Sequence, residues 1–252
     1  MHHPQKAEEA VPMQIALRPL LLWFLALLPT VAPAQDRISQ RYDVVFLGIR
    51  AGEASFEALL TDRQYSLAGQ LRSTGLLRAL VNVAYTVKAV GRIAGGRLMP
   101  VRYEENERYG KRAAVAVIEY SAGVPHLVRH DPPRTPEPTD VDPATQRDAV
   151  DPATAVFLAL RDVPREQACR FSVTLFDGVR RSRLVIVRPE PEGKGLRCTA
   201  QYQRLAGYRD WELENGRITP LSVHYRPNGN GLLEVAEVRV STKYGTVHIR
   251  RR

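Results

Sequence analysis

Few side chains in this sequence are spaced for chemistry. His126 and His130 stand at the i, i+4 spacing at which a helix would offer two imidazoles to one metal ion. Pro125 before them and Asp131-Pro132-Pro133 after them exclude a regular helix, so exposed loop histidines are the plainer reading and no metal site is assigned. Glu104, Glu105 and Glu107 cluster near the end of an alternating segment, with Glu105 and Glu107 on one face. Paired carboxylates can act as acid and base; beside Arg108, Lys111 and Arg112 they more often form exposed ion pairs. Arg180, Arg181 and Arg183 surround the turn Asp177-Gly178. They could hold a phosphate or carboxylate, or be the polar face of the strand that follows. The sequence contains no H-E-x-x-H, G-x-S-x-G, P-loop or G-x-G-x-x-G motif. No catalytic residue or cofactor is assigned, and the expectation is a protein that is not an enzyme.

Tyr202, Tyr208, Trp211, Tyr225 and Tyr244 fall on the later segments, where they could line an apolar ligand pocket or fill a sheet core. Cys169 and Cys198 are the two cysteines, 29 positions apart, with no C-x-x-C between them. In an oxidising compartment they most simply pair.

That compartment is suggested by the N-terminal region. From Met13, Arg18 supplies a positive charge and Leu20–Leu28 an unbroken apolar run. Pro29 breaks it, and Ala32-Pro33-Ala34 offers small residues to a signal peptidase. The run is short of the roughly 20 residues a spanning helix needs. Residues 1–34 are read as a signal peptide cleaved between Ala34 and Gln35, with Met13 the expected start, and the localisation as periplasmic. The net charge of +9 stays with the remainder, because Lys6 and Arg18 balance Glu8 and Glu9. Outside the cytoplasm such a charge argues for anionic lipid headgroups or envelope polymers as partners and against nucleic acid, although scattered arginines also suit a plain solvated surface.

The elements that would position these side chains are mostly strands. Alternation and turn residues predict strands at Tyr42–Ile49, Glu53–Leu60, Tyr65–Leu71, Val83–Ile93, Leu98–Glu107, Arg112–Tyr120 and Pro125–Arg129. After a long interruption they resume at Cys169–Phe176, Arg181–Arg188, Leu196–Arg204, Trp211–Glu214, Arg217–Arg226, Leu232–Thr242 and Thr246–Arg250. Two short helices are expected, at Thr74–Val81 and after Asp151-Pro152, the latter with Val156, Phe157 and Leu160 as its apolar stripe. Asp131–Val150 is rich in proline and acid and reads as a mobile surface loop. VDPAT occurs at 141–145 and 150–154, and Gly96–Tyr103 echoes Gly216–Tyr225, a hint of two β halves. The fold class is all-β: a strongly twisted antiparallel sheet, curled into an open or spiral barrel with two short helices, as one domain over residues 35–252.

The order of motifs resembles a proteobacterial exported family known only as domain-of-unknown-function family 3108. Tyr42 with Phe46-Leu47-Gly48-Ile49-Arg50-Ala51-Gly52-Glu53, Thr74-Gly75-Leu76, Gly96–Pro100, Asp151–Ala155, Cys169, Phe176–Arg181, Cys198 and Gly207 carry the likeness. It implies an envelope protein with an antiparallel β core, and no reaction. The functional expectation is a non-enzymatic binding or envelope-maintenance factor for a lipidic or other envelope ligand. The alternatives are a scaffold engaging another envelope protein or the cell wall through the basic surface or Asp131–Val150, and, last, an envelope-polymer hydrolase using the Glu104–Glu107 region. Oligomeric state is left open.

Overall fold

The computed structural model describes residues 35–252, apart from Val81 and Asn215 and the side chains of Leu76, Leu77 and Leu80. The expected signal peptide and Ala34 lie outside the described residues; Gln35 is the first of them.

Among the described residues, thirteen strands form one antiparallel sheet. The first seven are β1 (Asp36–Phe46), β2 (Ile49–Leu60), β3 (Gln64–Ser73), β4 (Val83–Ala94), β5 (Arg97–Tyr109), β6 (Arg112–Ser121) and β7 (Val124–Asp131). The remainder are β8 (Phe171–Phe176), β9 (Arg181–Glu192), β10 (Gly195–Ala206), β11 (Ile218–Pro227), β12 (Leu233–Thr242) and β13 (Gly245–Arg251). Their order across the sheet runs from β7 down to β1, then from β13 down to β8. The sheet is therefore two meanders joined where β1 pairs β13, as in Val44 opposite Ile249. It does not close: β7 and β8 are its edges.

The chain between those edges covers the gap. α2 (Pro152–Leu160) begins at Asp151, whose carboxylate accepts from the Thr154 N–H at 2.8 Å, and Pro152 occupies the first turn where no N–H is missed. Ala153, Ala155 and Ala159 let the helix lie close on the sheet, and Phe157 packs on Phe56 with ring centroids 5.9 Å apart. Val156, expected in the apolar stripe, is exposed; the small alanines form the contact face instead. Thr154 Oγ1 meets the Tyr65 hydroxyl of β3 at 3.0 Å, and Gln40 of β1 donates to the Leu160 carbonyl.

Two clusters of buried side chains result. One joins Ala153 and Phe157 to Phe56, Ala58, Leu67, Ala89, Tyr103 and Ile118. The other joins Ala159 to Ile186, Cys198, Ala200, Val223, Tyr225 and Val235. By register all these strand residues share one face, so this half of the interior is filled with side chains.

Asp131–Val150 is tied down where a mobile loop was expected. Arg134 pairs with Asp140, Asp142 caps a turn of 3-10 helix at Pro143–Thr145, and Gln146 and Ala149 are buried. Val150 bridges Leu175, its N–H donating to the Thr174 carbonyl and its carbonyl accepting from Phe176. The backbone groups left open at the β8 edge are thereby used. Both VDPAT copies open helical turns on their aspartates.

Several boundaries differ from expectation. The first hairpin turns at Leu47-Gly48 rather than Arg50–Gly52, both residues at positive φ, with a bulge displacing Ala51. β9 continues through Pro189 and Pro191 to Glu192. Cys169 precedes β8. The expected strand Trp211–Glu214 is a single helical turn, α3 (Asp210–Leu213), where Glu212 caps back onto the Arg209 N–H. α1 (Gly75–Leu80) sits in the β3–β4 connection. The echoing Gly96 and Gly216 turns open at opposite ends of the sheet.

Candidate functional site

Alternation decides which side chains face the interior. Tyr103 and Ile118 are opposite and buried, so Glu105 and its partner Ala116 face the same way. Glu105 is held by two phenols, Tyr85 at 2.5 Å and Tyr103 at 2.6 Å. Burial raises its carboxyl above the usual range, partly offset by those hydrogen bonds and reinforced by the nearby Asp177. Glu104 faces the other way toward Arg102, and Glu107 is exposed. The three glutamates thus have three environments, and the exposed ion pairs expected of them are not formed by Glu105.

Across the interior, β9 and β10 place Ser182 and Tyr202 on the same face. The Ser182 hydroxyl meets those of Tyr208 and Tyr202 at 2.5 and 2.8 Å. Burial pushes the Tyr208 phenol up. Beside it Arg180 lies over the Tyr208 ring and pairs with Glu212 and Asp177. Arg181 makes a two-pronged pair with Asp148 and donates to Gln146, while Arg183 is exposed. The three arginines therefore do not converge on one anion: two are neutralised within the fold and the third faces solvent. His130 Nδ1 sits 2.6 Å from the Pro132 carbonyl and His126 is exposed on β7, with a bulge between them at Val128.

The feature that reading by motif missed is Arg204. It follows Tyr202 by two on β10, so it also points inward, at the end of the interior not filled by α2. Its Nη1 donates to the Gly216 carbonyl at 3.1 Å and to Thr219 Oγ1 at 3.0 Å. Its guanidinium lies 5.8 Å from the Tyr202 ring centre and 6.0 Å from that of Tyr208. Among the described residues it pairs with no carboxylate. It borders an open cavity of about 770 Å³ whose walls are Val44, Phe46, Ile218, Pro220, Tyr244 and Val247, with Glu214 and Lys243 at the lip. A cation held by neutral partners in an apolar wall is suited to an anionic head on an apolar tail. Only alternation counted from Cys198 could have found it in sequence, through a bulge that shifts the count against β9.

Cys169 and Cys198 are disulfide-bonded, their Cα atoms 5.4 Å apart, tying the entry to β8 to the first part of β10. Among the described residues no His, Cys, Asp and Glu group is arranged for a metal ion, and no helix is long and apolar enough to cross a membrane.

No curated protein matches the chain. A crystal structure described as a beta-barrel-like protein of domain of unknown function DUF1849 from Brucella abortus aligns over 85% of this chain and 95% of its own, at 12% identity and a TM-score of 0.45. The family model described as protein of unknown function DUF3108 matches residues 41–192, more than half of the sequence, and the chain belongs to that family.

Proposed function

We propose that this chain is an exported, non-catalytic binding protein of the cell envelope that takes an anionic amphiphile, a single lipid tail with its charged head, into the mouth beside Arg204. The observation that carries this reading is Arg204 itself, oriented by Gly216, Thr219 and two tyrosines and, among the described residues, left without a carboxylate in an apolar-walled cavity. The volume lies within the roughly 300–1,000 Å³ common for ligand pockets. Export is supported by the apolar run and small-residue site before Gln35, and a disulfide suits an oxidising compartment. Of the two surfaces the scaffold reading could use, Asp131–Val150 is engaged within the fold, where it covers a sheet edge, which leaves that reading only the basic surface. The hydrolase reading has lost its paired carboxylates, since Glu105 faces two phenols and Glu107 faces solvent.

The test is titration with lysophosphatidylglycerol below its micellar concentration, read by native mass spectrometry and calorimetry. Saturable binding of one molecule is expected, weakened about tenfold or more by Arg204→Gln, as befits loss of a charge-assisted contact. An unsaturable response, or equal affinity in Arg204→Gln, overturns the proposal.

A further inference from the structure

The turns at the two ends of the sheet are built from different residues. At the end with the open cavity lie Leu47-Gly48, α1, Gly110-Lys111, the turn before β9, α3 with its flanks, and Lys243-Tyr244. Six large apolar side chains stand exposed on these connections or the strand ends beside them: Leu47, Ile49, Tyr109, Trp211, Ile218 and Tyr244. Leu47 is 70% exposed and Tyr244 72%. At the opposite end the connections are Asp62-Arg63, Gly95-Gly96, Ala122-Gly123, Gly193-Lys194 and Asn228–Gly231. None of those connections carries an exposed aromatic or branched aliphatic residue; Val90, Met99 and Val101, exposed in that half, lie at least two residues inside β4 and β5.

The apolar rim is interleaved with cations. Arg78, Lys111, Arg112, Arg217 and Lys243 are exposed there and form no ion pair among the described residues. Glu107, Asp210 and Glu214 are exposed acids at the same end; Asp131 pairs with Arg129, and Asp177 and Glu212 are engaged by Arg180. The excess is positive and the side chains beside it are those that settle at a lipid headgroup layer.

Leu47 adds an independent observation. It holds φ +50 in a two-residue hairpin whose next residue, Gly48, is at φ +77. That turn favours Asn or Gly at its first position, and a bulky side chain there is both strained and wet. Strain and exposure together at one residue suit a contact made outside the chain.

We infer that this rim is a docking surface for an anionic lipid bilayer, seated with the cavity mouth against the membrane. Charge complementarity selects the bilayer over a second copy, because two such rims would bring like charges together. The inference does not depend on what the cavity holds.

Flotation with vesicles of phosphatidylcholine alone, or containing phosphatidylglycerol, tests it with the full chain. The protein should float with the anionic vesicles and stay below with the neutral ones, and the bound fraction should fall as salt is raised. Lys111→Glu with Arg217→Glu should weaken binding about tenfold or more, as should Leu47→Asn with Trp211→Ser. Lys194→Glu, at the opposite end, should leave it unchanged. Leu47→Asn relieves the strained turn, so loss of binding with an unchanged or raised melting temperature separates docking from folding. Absence of flotation with anionic vesicles, equal flotation of the rim variants, or rim-dependent dimerisation by ultracentrifugation in place of vesicle binding overturns it. Arg204→Gln should float normally, so a failure of the ligand reading leaves this result standing, and the reverse.

Discussion

Asp151 makes the clearest pH statement in the protein. Burial is the main influence and pushes its carboxyl up to about 6, while the Thr154 hydroxyl and backbone N–H groups pull it down by less. The unfolded carboxyl titrates near 3.9. Between these values the folded state holds a proton the unfolded state has released, so stability falls as pH rises through that window. The difference is on the order of 3 kcal/mol at the upper end. Asp151→Asn keeps a side chain that caps a helix equally well and cannot ionise. Urea unfolding at pH 4, 5, 6 and 7 should show the wild type losing stability relative to Asp151→Asn between pH 4 and 6, with no further change above. Parallel curves across that range would contradict this. Glu237 has the opposite bias: burial would raise it, but hydrogen bonds from Arg250, His248 and Arg239 prevail and hold it at about 2. Its contribution is present above the usual glutamate range and fades as pH falls toward 2. The Asp-Pro signal that placed Asp151 at a helix start was visible in sequence. Its burial was not, because that depends on Tyr65 and Tyr120 arriving from β3 and β6.

Elements were legible where the pattern was local. Asp177-Gly178, Asn228–Gly231 and Gly95-Gly96 mark turns because those residues adopt positive φ or accept backbone hydrogen bonds. Trp211–Glu214 was misread because a Trp and a Leu around charged residues satisfy a strand pattern as well as one helical turn. Asp131–Val150 was misread because its composition says how little core it makes and nothing about the edges it covers. Val150 is the test of that covering role. Val150→Pro removes the N–H donated to Thr174 and leaves the β8 edge open. Light scattering at raised protein concentration should show aggregation that Val150→Ala, which keeps the N–H, does not; equal behaviour of the two would remove the role.

Across the full sheet, α2 is, among the described residues, the one helix with residues in both buried clusters, Phe157 in one and Ala159 in the other. The two meanders should therefore melt together. Phe157→Ala should cost about 3–5 kcal/mol, the usual range for a buried aromatic, and lower a single transition without splitting it. Differential scanning calorimetry resolving two transitions would show that α2 does not couple the halves. The antiparallel sheet and the incomplete closure were legible from strand number and edge logic. Where the interior is filled, and where it is open, was not, since several strands are apolar on both faces.

The pairing of β1 with β13 has a consequence for how the chain is made. A chain delivered from its N-terminus onward lets each meander assemble from neighbouring hairpins as it emerges. The seam between them needs β13, so β1 waits with one edge bare until Gly245–Arg251 has emerged. Until then the emerging molecule is two half-sheets on one string, and it is β13 that zips them into one.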